Sequence, residues 1–404
     1  MQATSFEIES YDIKTAIRVD AKNLRGVVVV RLQAGSDAPD KITFLLNKKA
    51  TIKSITLNEA PARFMFDIVA DAPNRFIRAG RTLTVLRNNA KSGKLVLRLE
   101  YDCVFDEITS DANAFSREWI ELGGYSAWFP FSDDYGRFSY TVDVTIDRGM
   151  SVSGSGVVTK TGDTTWRLKQ SARSKDIVLI ASDRLQTRIL PQGSGTLRLD
   201  FVNLADAKAQ ELARIAEGIG NNYQKWFGRA TGTYTTFALN PNKDLTSYAR
   251  TGFVSFQIKG MDTAELVHNI GHELAHFWWN HAPTGTWEDW LNESFAEYSA
   301  ALAARELFGE RSLEKTIEQY RKEAEGSPPL RNADRNGKAA FVLLYRKGVI
   351  VLHELRRKIG AEKFVSLLAE TTKRKTSNTE DFLRLTEKYS SRQTRESLEA
   401  ALSR

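Results

Sequence analysis

The chain changes its hydrophobic rhythm once. Before about residue 200, apolar and polar positions alternate in short runs. FSYTVDVTI, from Phe138 to Ile146, sets Phe138, Tyr140, Val142, Val144 and Ile146 on one side, the pattern of a half-buried strand. VVVVRL, KITFLL, TLTVLR, KLVLRLEY and DIVLIAS follow the same rule, with Gly, Asp, Asn and Ser between them. They predict an N-terminal domain of antiparallel strands over residues 1–203, a β-sandwich or saddle. From residue 204 the period lengthens. AKAQELARIAEGIGNNYQKWF opens a helical pattern, two strands follow, and helices continue to residue 404. The fold class expected is multidomain, β and then α+β, with a mostly helical second domain. The polar stretch Arg311 to Ser327 predicts a solvated helix that stops before Pro328 and Pro329.

Two helices of the second half carry the candidate chemistry. Val267, Ile270, Leu274 and Phe277 recur at helical spacing. Asp262 followed by Glu265 predicts an N-terminal capping box, and Pro283 stops the pattern. A second helix is expected from Asp289 to Leu307, with Gly309 as its terminator. The first helix holds HELAH, His272 to His276. Residues four apart share a helix face, separated by about 6 Å along the axis, so both imidazoles can grip one ion. After sixteen further residues comes Glu293, in WLNESFAEY on the second helix. Two imidazoles and a carboxylate are the ligand set of a hydrolytic zinc site, and Glu273 is the residue type such a site uses to activate water. Glu297, one turn after Glu293, can hold a ligand imidazole through its other nitrogen. Four of the five histidines, His268, His272, His276 and His281, fall within fourteen residues. His268 is expected behind the ligands, because a catalytic zinc keeps one position open for water. His281 is expected on a loop, and His353 in a structural role.

Composition narrows the picture. The 57 basic against 50 acidic residues leave a net charge of +7, and the densest basic cluster is Lys373-Arg374-Lys375. No nucleic-acid partner is expected. The single cysteine, Cys103, excludes an internal disulfide. No stretch approaches the ~20 apolar residues of a membrane helix. No signal peptide is visible after Met1; a periplasmic or secreted location stays open if one was removed, and the oligomeric state is undetermined.

HELAHFWW followed by WLNESFAEY resembles the gluzincin aminopeptidases of the aminopeptidase N type, which carry HELAHxWxGN and WLNEGFAxY. FVLLYRKGVIVLHELRRKIG, from Phe341 to Gly360, is similar to the family's YxKG motif and the helix behind it. NNYQKWFGRATGTYTTFALNP, GFVSFQ and WIELGGYSAWFPFSDD extend the likeness over roughly Trp119 to Tyr389. The resemblance implies a thermolysin-like catalytic domain over 204–404, one zinc ion on His272, His276 and Glu293, and a peptide substrate. It implies that Tyr345 stabilises the oxyanion of the tetrahedral intermediate. It places Gly252 at the start of the strand beside the substrate, and Glu121 where the family has Gln or Glu against the substrate amine. The large helical C-terminal domain of many relatives has no counterpart, so a more open cleft is expected.

Departures limit the specificity. The family separates the second histidine from the glutamate by eighteen residues rather than sixteen, so the loop NHAPTGTWED is two residues short. The family's exopeptidase signature GAMEN is replaced by TSYAR, Thr246 to Arg250, and its amine-gripping glutamate aligns with Ala249. A cation at Arg250 would repel a substrate ammonium and attract a carboxylate. The expected activity is zinc-dependent peptide-bond hydrolysis as an aminopeptidase. An endopeptidase or altered-specificity peptidase is the alternative that the missing glutamate motivates. A catalytically silent scaffold and a basic surface-binding protein are the alternatives of another class.

Overall fold

The computed structural model describes residues 6–66, 77, 79–87, 93–106, 114–132, 134–192, 195–230, 234–242 and 246–404. Asp133 and residues 231–233, which fall in two of the resembling segments, lie outside the described residues. The chain divides into two compact units. The first holds residues 1–204 together with Tyr234–Thr246 and Arg250–Lys259. The second holds Ala205–Thr233, Ser247–Ala249 and Gly260–Arg404.

The first unit is built of sheets, as the alternating runs predict. Its largest sheet has eight strands, with Phe6–Arg18, Asn23–Ala34 and Gly93–Val104 near the centre. Pairing is antiparallel except between Phe6–Arg18 and Phe138–Ile146, which run parallel. Phe138–Ile146 buries the five residues expected on its inner side. They join a core containing Tyr11, Tyr101, Trp128 and Phe129. Each such side chain contributes about 1.5–3 kcal/mol when fully buried. The two buried tyrosine hydroxyls are satisfied by main chain: Tyr11 donates to the Pro130 carbonyl at 2.7 Å, and Tyr101 to that of Trp128. Ile120–Leu122 lies in a four-stranded sheet, against Leu179–Ser182. Gly195–Phe201, Tyr234–Asn240 and Gly252–Gln257 pair in parallel in a further sheet.

The second unit is helical. Helix α1 spans Asp206–Phe227, α2 Thr263–Ala275, α3 Trp290–Phe308 and α4 Glu310–Ala324. After a short α5, Ala340–Val342, a π-helical turn at Leu343–Lys347 leads into α6, Gly348–Ile359. Helices α7, Ala361–Lys373, α8, Thr379–Tyr389, and α9, Arg392–Leu402, complete it. The capping box forms as predicted: Asp262 accepts from the Glu265 amide and Glu265 from that of Asp262, both at 2.9 Å. Helix α3 is buried on nearly every face from Trp290 to Ala304, the signature of a central helix. Helices α2, α4 and α6 pack against it. The polar stretch after Arg311 is α4, whose buried side carries Leu313, Ile317 and Tyr320. Among the described residues no helix is long and apolar enough to cross a membrane.

Candidate metal centre

HELAH lies at the end of α2. The helix closes at Ala275, one residue before His276. The pattern of apolar positions carries on to Phe277, but the main chain has already tightened into i to i+3 bonds: Phe277 N donates to Leu274 O at 3.1 Å and Trp278 N to Ala275 O at 2.9 Å. The two tryptophans after it fix that turn. Trp278 Nε1 donates to the Gly228 carbonyl at 2.8 Å and Trp279 Nε1 to Ser299 Oγ at 3.0 Å. His276 keeps a right-handed helical conformation, so its ring stays on the face of His272.

Three ligand atoms then converge. Glu293 Oε2 stands 3.4 Å from His272 Nε2 and 3.6 Å from His276 Nε2. All three atoms lie within 4.8 Å of one another. Ligands held about 2.1 Å from a tetrahedral zinc are themselves about 3.4 Å apart. Proton positions agree. His272 Nδ1 meets Glu297 Oε2 at 2.7 Å, and His276 Nδ1 meets the Trp279 carbonyl at 3.1 Å. A carboxylate and a carbonyl only accept, so each Nδ1 carries a proton and Nε2 is the nitrogen each ring would offer to a metal. Among the described residues, the buried Glu293 Oε2 has no hydrogen-bond partner. Two imidazole nitrogens and a carboxylate oxygen facing one point fit a divalent metal.

Glu297 is the hub behind the ligands. Its Oε1 also receives His268 Nε2 at 3.0 Å, the Tyr320 hydroxyl, and Arg346 Nη1 at 3.0 Å. Burial alone would push this carboxyl up; the facing His268 and His272 reverse that and hold it well below the usual carboxylate range. Glu293 behaves likewise: burial opposes its charge, and His276 and His272 outweigh the burial. Tyr345 lies in the π turn, a local geometry that often marks functional positions. Its ring stacks on His272 at 5.6 Å between centroids and on Phe341 at 5.0 Å. Burial, with the Glu293 charge added, pushes the Tyr345 phenol well up despite Arg335 opposing, so it remains an O–H donor. Glu273 follows His272 on α2 and is buried. Below the ligands, Arg335 Nε pairs with the buried Asp289 at 2.6 Å, and Asp289 accepts from Asn292.

The structure therefore gathers His272, His276, Glu293, Glu297, Tyr345 and Glu273 in one unit, with His268 behind the ligands as its position suggests. His353 contacts Tyr298 at 3.2 Å, away from this cluster of contacts. Glu121, Arg250 and Gly252 belong to the other unit. Glu121 is fully buried, and its Oε2 accepts from Trp119 Nε1 at 2.7 Å and Asn240 Nδ2 at 2.9 Å. Arg250 ends the short strand Tyr248–Arg250 and pairs through Nε with Asp176 at 2.7 Å, its guanidinium over the Tyr125 ring. Its charge is thus already matched by a buried carboxylate. Gly252 has φ +76°, a conformation that a residue with a Cβ adopts only under strain. Sequence reasoning missed Tyr320, Arg346 and the Asp289–Arg335 pair. Tyr320 carried a signal: it falls on the apolar face of α4 with Leu313 and Ile317, yet bears a hydroxyl that must find a partner.

Residues 242–401 match the Peptidase family M1 domain. Over that stretch the chain is similar to an M1 peptidase domain. This bears out the kinship with gluzincins of the aminopeptidase N type. Aminopeptidase M1-A of Oryza sativa subsp. japonica is 34% identical over 112 residues, covering 25% of this chain and 13% of the rice protein. Aminopeptidase M1 of Arabidopsis thaliana gives the same identity and coverage. The match thus spans only a small fraction of the length of these plant relatives. Among solved structures, the M1 zinc metallopeptidase from Deinococcus radiodurans aligns with a TM-score of 0.75 at 20% identity, over 99% of this chain and 94% of that one. Leukotriene A4 hydrolase from yeast aligns with a TM-score of 0.75 at 16% identity, over 99% and 67%. At these identities the likeness establishes the fold, a β domain followed by a helical domain.

Proposed function

We propose that this M1 chain is a zinc-dependent peptidase that hydrolyses peptide bonds as an aminopeptidase. The observation that carries the reading is the convergence of His272 Nε2, His276 Nε2 and the unpartnered Glu293 Oε2. His272, His276 and Glu293 would hold one zinc ion, which would supply Lewis acidity to a carbonyl and lower the pKa of water to about 7. Glu273 takes the proton of the attacking water and delivers it to the leaving amine. The protonated Tyr345 donates to the carbonyl oxygen as negative charge develops there. Glu297 and the Trp279 carbonyl keep the two imidazoles turned with Nε2 toward the metal.

Action at a free N-terminus is supported by the carboxylate retained at Glu121 and by the names of the plant relatives. A mutant of the Deinococcus metallopeptidase has been solved bound to a Tyr-Ser-Ala substrate. Gly252 is assigned to the strand that lines the peptide. Ala249, in place of the amine-gripping glutamate, favours a second reading, an endopeptidase or altered-specificity peptidase. Arg250 is assigned to holding Asp176 rather than a substrate carboxylate. A matched panel of free and N-acetylated peptides, run on zinc-loaded protein, tests the reading. Cleavage of free-amine peptides alone, lost in Glu121→Gln, supports the aminopeptidase. Equal cleavage of blocked peptides replaces it with the endopeptidase. Zinc binding with no cleavage of any peptide leaves only the silent scaffold.

A further inference from the structure

We propose that Arg346 is a positioning residue that ties the Tyr345 main chain to the metal ligand His272 through the Glu297 carboxylate. The inference rests on the zinc-peptidase reading and assigns that site a further residue. Arg346 follows Tyr345 in the π turn, and its side chain is only 16% exposed. Its Nη1 donates both to the Tyr345 carbonyl at 3.1 Å and to Glu297 Oε1 at 3.0 Å. The other oxygen of the same carboxylate receives His272 Nδ1 at 2.7 Å. One guanidinium nitrogen therefore touches the main chain of the oxyanion-side tyrosine and the group that orients a ligand ring.

The remaining contacts of the guanidinium explain why it is arginine. Nε donates to Glu323 Oε2 at 2.5 Å. The guanidinium carbon lies over the Tyr320 ring, 4.2 Å from its centroid, and over the Phe341 ring, 4.8 Å from its centroid. A planar fork can meet two carboxylates through different nitrogens while lying against aromatic rings; a lysine ammonium is a point charge on a flexible stem and cannot. Charge matters as well as shape. Glu297 is 8% exposed, and Arg346 sets a permanent positive charge against it beside His268. The consequence is geometric. A displacement of about 1 Å between reacting groups can cost ~100-fold in rate, so a rigid link between Tyr345 and His272 bears on kcat more than on substrate binding.

Arg346→Lys in the full chain tests this with three readouts. These are zinc affinity by chelator competition, the melting temperature of metal-free protein, and kcat and KM on a peptide the parent cleaves. Both zinc affinity and kcat are expected to fall, each by about 10- to 100-fold as for other partners behind metal ligands, with KM within about twofold of the parent. In a Tyr345→Phe background the kcat loss should shrink to about threefold or less, because the group whose place Arg346 sets is gone. In a Glu297→Gln background the loss of zinc affinity should shrink in the same way. Parent-like zinc affinity and kcat in folded Arg346→Lys overturn the proposal. So do full, additive losses in both backgrounds. If Arg346→Lys fails to fold, Glu323→Gln, which frees only Nε, is read by the same cycles. A parent that cleaves no peptide refutes the peptidase reading, while the zinc-affinity cycle with Glu297→Gln still decides this one.

Discussion

Gly348 and Ser294 are packed so closely that a Cβ on the glycine would stand 2.0 Å from Ser294 Oγ. The hydroxyl is held there because it donates to the Leu344 carbonyl at 2.5 Å. Ser294 follows the ligand Glu293, and Leu344 precedes Tyr345. The contact therefore sets how near the π turn comes to the ligand helix α3. Gly348 is itself in ordinary helical conformation, so its requirement is space and not backbone freedom.

Gly348→Ala is expected to destabilise the protein by about 1–3 kcal/mol through overpacking and to lower kcat by moving Tyr345. Adding Ser294→Gly should recover part of both, because the methyl then occupies the space of the lost side chain. Thermal melts and steady-state kinetics on the single and double variants check this. Parent-like melting and kcat in Gly348→Ala would show that the helices give way freely and that the contact sets nothing. Ser294→Ala alone removes the donor to Leu344 and should cost about 1–3 kcal/mol.

Glu273→Gln keeps the shape of the side chain and removes the proposed base. Zinc content and melting temperature should match the parent, while kcat falls by roughly 100- to 10,000-fold. Metal analysis beside the kinetics separates the two effects. Retained turnover would move the proton-accepting role to another group.

Tyr345→Phe removes the proposed oxyanion donor and leaves the stack on His272 in place. The loss should fall on kcat, by about 100- to 1,000-fold, with zinc affinity unchanged. A change confined to KM would instead make the phenol a substrate contact common to ground and transition states.

Much of the site was legible in the sequence because helical spacing converts residue number into direction. HELAH put two imidazoles on one face, and Glu293 and Glu297 one turn apart supplied the oxygen that converges with them and the carboxylate behind His272. The fold class followed from the change of period near residue 200. Tyr320 and Arg346 were not legible. Each reaches Glu297 from a different helix or turn, and no local pattern says which distant carboxylate a buried hydroxyl or guanidinium will meet. Arg250 shows the same limit in the first unit. Its sequence position suggested a free cation, whereas its partner Asp176 stands 74 residues away.

Removing the metal should abolish hydrolysis and lower the melting temperature, because the three converging donors then lose the cation that reconciles them. At free zinc 100-fold above the dissociation constant, binding adds about 2.7 kcal/mol. Chelation followed by dialysis and re-addition of zinc should reverse both changes. Hydrolysis that survives complete metal removal would refute the zinc reading.

His353 offers a pH signature outside the metal centre. Burial first, then the nearby Arg356, Arg321 and Arg357, lowers its pKa from 6.5 to about 4. The folded protein therefore keeps His353 neutral, accepting at Nδ1 from the Tyr298 hydroxyl, whose own pKa is raised by burial. The unfolded chain takes up the proton at its ordinary value, near 6.5. Stability is full above that value and is lost as pH falls from there toward 4, since the unfolded state binds more protons across that window. His353→Gln keeps an amide acceptor for Tyr298 and cannot titrate. Melting curves of metal-free parent and variant between pH 7 and pH 4 should diverge, the parent losing more. Equal slopes of melting temperature against pH would mean that His353 is protonated as readily in the folded protein as in the unfolded chain.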